Sequence, residues 1–483
     1  MKKTTRILAL ALIAALFMGA LAGCGEEVGG PKDPVAVTVW HYYNGAQQED
    51  FDALVEEFNQ SVGTEKGIVV SAKSYGTVYE LTENVTDAVN GKVGAEDAPD
   101  IFAAYADTAY GIHEKGLAVN LADYLTEEEQ QAYVPAYLDE GRFGAEGFRI
   151  FPVAKSGELF SLNKTAWDQF SVATGTTEAG FTTWEGIADI AKQYYEWTDS
   201  LTPEVQNDGK AFFGRDAFAN YMVVGSYQLG HSIFNVTDGK MTLDLDRETL
   251  RRLWDNYYTP YISGYYASFG KFRSDDVRTG DIVSFVGATS GATYFPKEVT
   301  LADGTTYPIE GKVYPLPNFE NTKPMCVQQG AGMVVMKSTH DREQAAVEFL
   351  KWFTEPKQNL RFASGSGYLP VTLAASQPEA VLESLTARGT RLYPVLEDSI
   401  KLGVEMCGTY TLYTTPPFEN GYAARVVADK SMEKKAEADR VVVQQLLAEG
   451  MTLADAVAAV NTDENFNAWC VDFQAALEEA LKG

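Results

Sequence analysis

The sequence predicts an α/β protein of two lobes. Three observations lead there. The chain has 483 residues, more than one compact core usually serves, so two domains are expected. Its apolar share of 45% is ample for globular packing. After a short leader, the first ordered stretch reads as strand, loop, helix and strand, the opening βαβ unit of an α/β lobe.

That unit is built as follows. Val35–Trp40 is a β-branched run and reads as a buried strand. His41–Gln48 is a polar and aromatic loop, and Phe51, Leu54, Val55 and Phe58 then mark an amphipathic helix. Ile68–Ala72 is the next strand. A helix over Glu80–Asn90 and a short strand after Pro99-Asp100 follow. Phe151-Pro152-Val153 reads as a crossing between lobes, and Ala154–Lys164 as the strand that opens the second. Helices are predicted over Phe181–Tyr195 and Leu243–Tyr258, and a strand over Asp281–Val286 that ends in the hydroxyl-rich Ala288-Thr289-Ser290-Gly291. Further crossings are expected at Tyr294–Lys297 and Thr354–Lys357, with Val313–Pro317 returning towards the first lobe. Val327–Met336 is a strand. Ala346, Phe349, Leu350 and Phe353 give a helix one apolar face, which Pro356 stops. A short helix through Asn359–Phe362 precedes Ser364-Gly365-Ser366-Gly367, which breaks regular structure and delivers Tyr368 into a turn closed by Pro370. Tyr410–Pro417 is an aromatic loop. Helices around Met432–Ala448 and Thr452–Val460, and one running to Leu481, close the chain.

The N-terminus is a targeting segment. Lys2, Lys3 and Arg6 precede the apolar Ile7–Met18, and Leu21-Ala22-Gly23-Cys24 follows. These features are similar to a bacterial lipobox, which implies a signal peptide over 1–23 and a lipid on Cys24. Residues 24–34, rich in Gly, Pro and charge, read as a tether. The net charge of −28 becomes −31 without the three leader cations. Nucleic acid would need a basic patch, so that class is disfavoured. No later segment has about 18 uninterrupted apolar residues, as a spanning helix needs. Cys326, Cys407 and Cys470 cannot all pair, and buried thiols are the expectation. His113-Glu114 lacks the second His of a zinc-hydrolase motif. No nucleophile elbow, phosphate-binding loop or metal cluster is present in the sequence, whereas paired carboxylates among 67 acids stay open.

The helix at 344–353, Thr354-Glu355-Pro356 and Gly367-Tyr368-Leu369-Pro370-Val371 together resemble a C-terminal signature of extracellular solute-binding proteins of the family 1 type. These are capture subunits of ABC importers for sugars and glycerol-3-phosphate. Ala98-Pro99-Asp100-Ile101-Phe102 and the Asn163-Lys164 strand end are similar to the same family in order and spacing. The resemblance implies a type II periplasmic-binding-protein-like fold, with a ligand cleft between lobes joined by hinge crossings. The first lobe is expected at 35–152 plus 297–355, and the second at 153–296 plus 356–483.

The resemblance also implies ligand contacts. Trp40 and Tyr43 flank the first loop, with a core Trp as the alternative for Trp40. Tyr79 opens a helix. Asp107 either accepts from ligand hydroxyls or caps its helix. Ser156, Phe218 and Ser290 come from the second lobe. Gly330 either offers its amide to ligand or makes a strand bulge. Tyr368 either faces ligand or packs, and replacing it with Ala is expected to weaken binding about tenfold or more with melting almost unchanged. Tyr413 stands near where the phosphate-binding relatives carry an Arg; Arg425 comes only later, which argues against a phosphate ligand.

The implied function is saccharide capture by lobe closure and delivery to an ABC permease and, through it, the ATPase. The expectation is a lipid-anchored monomer on the outer face of the membrane, without cofactor or metal. The alternatives are a polyol phosphate as ligand, or a secreted glycan hydrolase or sensor on the same scaffold.

Overall fold

The computed structural model describes residues 33–143, 147–237, 240–387 and 394–482. Cys24 and the tether up to residue 32 lie outside them. The first sheet has the order β9-β3-β1-β2. It consists of β1 (Val35–His41), β2 (Ile68–Ser74), β3 (Ile101–Ala104) and β9 (Gly332–Val335). β1 pairs in parallel with β2 and β3, and β9 runs antiparallel to β3. The second sheet has the order β7-β4-β6-β5. Its strands are β4 (Glu158–Asn163), β5 (Phe213–Arg215), β6 (Ser284–Ala288) and β7 (Gly311–Tyr314). β8 (Met325–Val327) and β10 (Thr411–Tyr413) form a separate parallel ribbon.

Helices cover each sheet. Those that shape the cleft and the crossings are α1 (Gly45–Gln60), α2 (Val78–Val89), α3 (Ala106–Glu114), α4 (Pro135–Asp139), α5 (Phe218–Gln228), α6 (Arg247–Ile262), α7 (His340–Phe353), α8 (Pro356–Ser366), α9 (Pro394–Thr409), α10 (Gly421–Ala448) and α11 (Asp463–Ala480). Phe51, Leu54, Val55 and Phe58 of α1 are buried, as the helical spacing requires. Among the described residues no helix is long and apolar enough to cross a membrane, and no His, Cys, Asp and Glu group could hold a metal.

Two hydrophobic cores form. One gathers Val37–Ala154, Ala331–Phe353, Phe362, Tyr368 and Val371; the other gathers Leu159–Val327, Leu360 and Ala375 onwards. The crossings therefore lie near 155–158, a few residues beyond Pro152, and near 328–330 and 372–374 rather than at Tyr294–Lys297 and Thr354–Lys357. Residues 298–327, assigned from sequence to the first lobe, belong to the second core because β7 pairs with β4. Conversely α8, assigned to the second lobe, lies on α1. Phe362 packs on Phe51 and Phe353, and Gln47 donates to the Ser366 carbonyl at 3.1 Å.

Other differences have local causes. Val327–Met336 is not one strand, because the second crossing interrupts it between β8 and β9. The Ser-Gly run does not break α8. Pro356 starts that helix at a position where no N–H is needed, Ser366 Oγ bonds the Phe362 carbonyl at 2.6 Å, and only Gly367, at φ +75°, ends it. The expected strand at Asp281 begins instead at Ser284. α10 runs unbroken from Gly421, so the tail's first helix starts a turn after the aromatic loop.

A buried lysine joins the crossings. Lys155 is fully buried and forms an ion pair with Glu140, just past α4. Its ammonium also donates to the Gly330 carbonyl at 2.7 Å, and its backbone exchanges bonds with Leu369. Gln328 Nε2 donates to Glu140 at 3.3 Å. Asn359 adds a second tie, donating to the Val153 carbonyl at 2.7 Å and accepting from the Val371 amide at 2.8 Å. Removing one member of a buried pair strands the other charge, so Lys155→Ala is expected to cost about 3–5 kcal/mol in urea unfolding. Replacing both partners with apolar residues, Lys155→Met with Glu140→Leu, is expected to cost less than the single change.

Candidate functional site

The lobes meet over a cleft whose rim is closed by contacts across the boundary. Tyr79, in the first turn of α2, packs edge-on to Tyr422 of α10 with ring centroids 5.8 Å apart. Tyr294 donates to Asn44 Oδ1 at 3.3 Å. Gly421, the first residue of α10, approaches Asp107 so closely that a Cβ on it would stand 3.6 Å from the Asp107 Cβ.

Behind the rim the first lobe presents Tyr42, Tyr105 and Asp107. Tyr42 Oη bridges the Tyr368 hydroxyl at 3.1 Å and the Ala331 amide at 3.2 Å. Asp107 lies in the first turn of α3, which Tyr105 caps. Its Oδ1 accepts from the Thr108 amide at 2.9 Å. Burial pushes its carboxyl pKa up, and Arg425 of α10 pulls the other way. Arg425 also acts on the Tyr105 and Tyr413 phenols. It hydrogen-bonds Asn220 Oδ1 at 2.5 Å, and its remaining N–H groups have no hydrogen-bond acceptor among the described residues. The result is a carboxyl on one lobe, a guanidinium on the other and tyrosines on both. Such groups can exchange hydrogen bonds with a polyhydroxylated solute and lay ring faces against its C–H surfaces.

The residues singled out from sequence divide into three groups. Tyr79 and Asp107 stand at the cleft, and Tyr413, though buried, lies within electrostatic reach of Arg425. Ser156, Ser290 and Gly330 stand at the lobe junction. Ser156 pairs through its backbone with Gln329, both bonds being 2.8 Å. Gly330 adopts φ +88°, and a Cβ there would meet the Ala154 carbonyl oxygen at 2.8 Å, so its close approach is to the first crossing. Ser290 backs onto Gly367, where a Cβ would lie 3.1 Å from the Ser290 Cα. The third group packs in the cores. Trp40 is 5% exposed, 5.0 Å from the Tyr75 ring and below Lys73. Phe218 is 1% exposed and packs on Tyr257 at 4.3 Å. Tyr43 is fully buried among His41, Phe51, Phe362 and Tyr368.

Tyr368 belongs with Tyr43. It is 5% exposed and stacks on Phe362 at 6.0 Å. Only its hydroxyl, bonded to Tyr42, points on towards the cleft wall. This burial overturns the expectation that Tyr368→Ala leaves melting unchanged.

Tyr105, Asn220 and Tyr422 were missed from sequence, Tyr42 was placed only within the loop after Trp40, and Arg425 was set aside as too distant. Signals existed for some. Asn220 is an amide inside the otherwise apolar run Phe218–Val224, and Asn420-Gly421 starts a helix that brings Arg425 within electrostatic reach of Tyr413.

Two predictions arise from this wall. Tyr368→Ala is expected to lower stability by about 3 kcal/mol through the cavity it leaves, and Tyr368→Phe by ~1 kcal/mol through the lost Tyr42 bond, both read by chemical unfolding. His41 supplies the second. It is fully buried, not in a loop as expected, and its Nδ1 accepts the Tyr43 amide at 3.2 Å, so the ring proton sits on Nε2. Burial lowers its pKa from 6.5 to about 4. Above pH 6.5 the ring is neutral in both states. As pH falls from 6.5 towards 4 the unfolded chain takes up a proton that the folded one refuses, so stability is lost across that window. His41→Gln is expected to flatten this part of the stability–pH curve.

The comparisons with known proteins agree with this architecture. A search of curated proteins gives no match by sequence. Among solved structures, UgpB from Mycobacterium tuberculosis in complex with glycerophosphocholine is 20% identical, with a TM-score of 0.64 over 95% of this chain and 99% of that one. The maltose/maltodextrin-binding domain MalE from Bdellovibrio bacteriovorus, bound to maltotriose, is 15% identical, with a TM-score of 0.63 over 93% of this chain and 100% of that one. The cyclic alpha-maltosyl-1,6-maltose binding protein from Arthrobacter globiformis is 20% identical, with a TM-score of 0.61 over 93% and 99%. At these identities the likeness establishes the two-lobe fold. A sequence profile described as bacterial extracellular solute-binding protein matches residues 53–387. With that profile spanning most of the sequence and the fold in agreement, the chain belongs to the family of bacterial extracellular solute-binding proteins, which bind solutes rather than transform them.

Proposed function

We propose that this protein captures a carbohydrate between its lobes and hands it to an ABC permease, from a lipid anchor at Cys24 on the outer face of the membrane. The observation that carries the reading is the pairing of walls across the lobe boundary, with Tyr79, Tyr105 and Asp107 on one side and Tyr422 and Arg425 on the other. A solute that touches both walls binds the closed arrangement better than the open one and shifts the population towards it. The permease then reads closure. The likeness in fold to MalE from Bdellovibrio bacteriovorus, bound to maltotriose, and to the cyclic alpha-maltosyl-1,6-maltose binding protein supports a sugar.

One observation favours a second reading. Sequence argued against a phosphate-bearing solute for want of an Arg near Tyr413, yet Arg425 acts electrostatically on Tyr413 and stands opposite Asp107. A guanidinium with free N–H groups is the natural partner of a phosphate. UgpB, crystallised with glycerophosphocholine, has the same fold.

A thermal-shift screen of the full chain separates the two. The panel holds mono- and oligosaccharides, polyols, glycerol-3-phosphate, glycerophosphocholine and amino acids. A ligand at 100 times its Kd adds roughly 2.7 kcal/mol, a clear rise in Tm. The expected result is a saccharide hit that survives Arg425→Gln weakened by about tenfold or less. A hit confined to the phosphate compounds and abolished by Arg425→Gln would establish the second reading. Turnover of a glycan would overturn both.

A further inference from the structure

Asn220 is 1% exposed in the first turn of α5, and its carboxamide is fully engaged. Oδ1 accepts from Arg425 Nη2 at 2.5 Å. Nδ2 donates to Glu158 Oε1 at 2.8 Å and to Gln329 Oε1 at 3.2 Å. The orientation of the amide is fixed by its neighbours, since a guanidinium can only donate and a carboxylate can only accept. Glu158 is 1% exposed, begins β4 directly after the first crossing, and holds Arg215 with its other oxygen at 2.7 Å. Arg215 in turn lies over the Trp184 and Tyr221 rings, 5.1 and 5.7 Å away. Gln329 sits in the second crossing. Its backbone pairs with Ser156, and its Nε2 reaches the Gly157 carbonyl at 3.4 Å. One buried side chain thus touches the cation in the cleft and two chain segments that must change conformation when the lobes part.

We infer that Asn220 is a positioning residue that transmits the placement of Arg425 to both crossings, so that a solute group held by Arg425 changes the ease of opening. Among the described residues Arg425 makes no hydrogen bond to either crossing; its path to them runs through Asn220. The physical reason for transmission is rigidity. A carboxamide that donates to two buried acceptors cannot follow a displaced guanidinium without breaking one of those bonds, and each break leaves a desolvated group unpaired. Arg215 and its aromatic seat keep Glu158 from yielding instead. The inference rests on reading the cleft as the solute site, but its test needs no solute.

The test is hydrogen exchange by mass spectrometry on the solute-free full chain, following the segments at 155–158 and 327–331. Arg425→Gln is expected to speed exchange in both by about fivefold, while leaving β1 and α7 unchanged. Asn220→Ala is expected to speed them as well, and adding Arg425→Gln to it should then change nothing further. Crossing exchange that ignores Arg425→Gln, or effects that simply add in the double variant, would overturn the coupling. Should Asn220→Ala fail to fold, Asn220→Ser takes its place in the cycle, and the single Arg425→Gln measurement already decides whether the crossings sense the cleft. A failed ligand screen with coupled exchange would overturn the functional reading alone.

Discussion

Lys155 is the constraint on which the two-lobe arrangement depends. A buried ammonium is costly unless each of its donors finds an acceptor. Here Glu140 supplies a carboxylate and Gly330 a carbonyl, while the Lys155 backbone binds Leu369. Lys155 lies on the first crossing, Gly330 on the second and Leu369 within a few residues of the third, so the demand of one charge, met also by Glu140, gathers them into one place. The crossings in this knot cannot separate without exposing or stranding that charge. Gly330 is glycine because the crossings pass so close that a Cβ would meet the Ala154 carbonyl oxygen at 2.8 Å.

Around the knot, two kinds of aromatic wall form. In the first lobe Tyr43, Phe51, Phe362 and Tyr368 are a packed cluster that fixes the position of the Tyr42 hydroxyl. At the rim Tyr79, Tyr294 and Tyr422 are 59%, 45% and 40% exposed, and they face the opposite lobe. The first group confers stability and orientation; the second stands exposed at the lobe boundary. A sequence with 26 Tyr and 25 Phe can serve both ends only because the fold separates them.

The charge of the cleft differs from that of the surface. The chain carries a net −28, yet the second lobe sets Arg425 and Arg215 on either side of Asn220, with Glu158 between. The acidic exterior sets how the protein behaves in solution. The few charges at the lobe boundary run in order from Arg425 through Asn220 to Glu158 at the first crossing.

The sequence by itself determined the α/β class, the opening strand–helix–strand unit, the family resemblance and the helix whose apolar face carries Ala346, Phe349, Leu350 and Phe353. Each of these rests on local periodicity or on motifs a few residues long, and such signals survive without knowledge of the partner surface. It also singled out Tyr79 and Asp107 as ligand contacts, and the structure places both at the lobe boundary. Only the tertiary structure decided that residues 298–327 join the second core, because strand pairing between β7 and β4 links positions about 150 residues apart. It likewise decided that Tyr43, Phe218 and Tyr368 are buried, and that Arg425, set aside for its distance along the chain, comes within electrostatic reach of Tyr413 and Asp107. Which face of a loop an aromatic presents, and which cation meets which acid, depend on contacts between remote segments, and no local pattern encodes them.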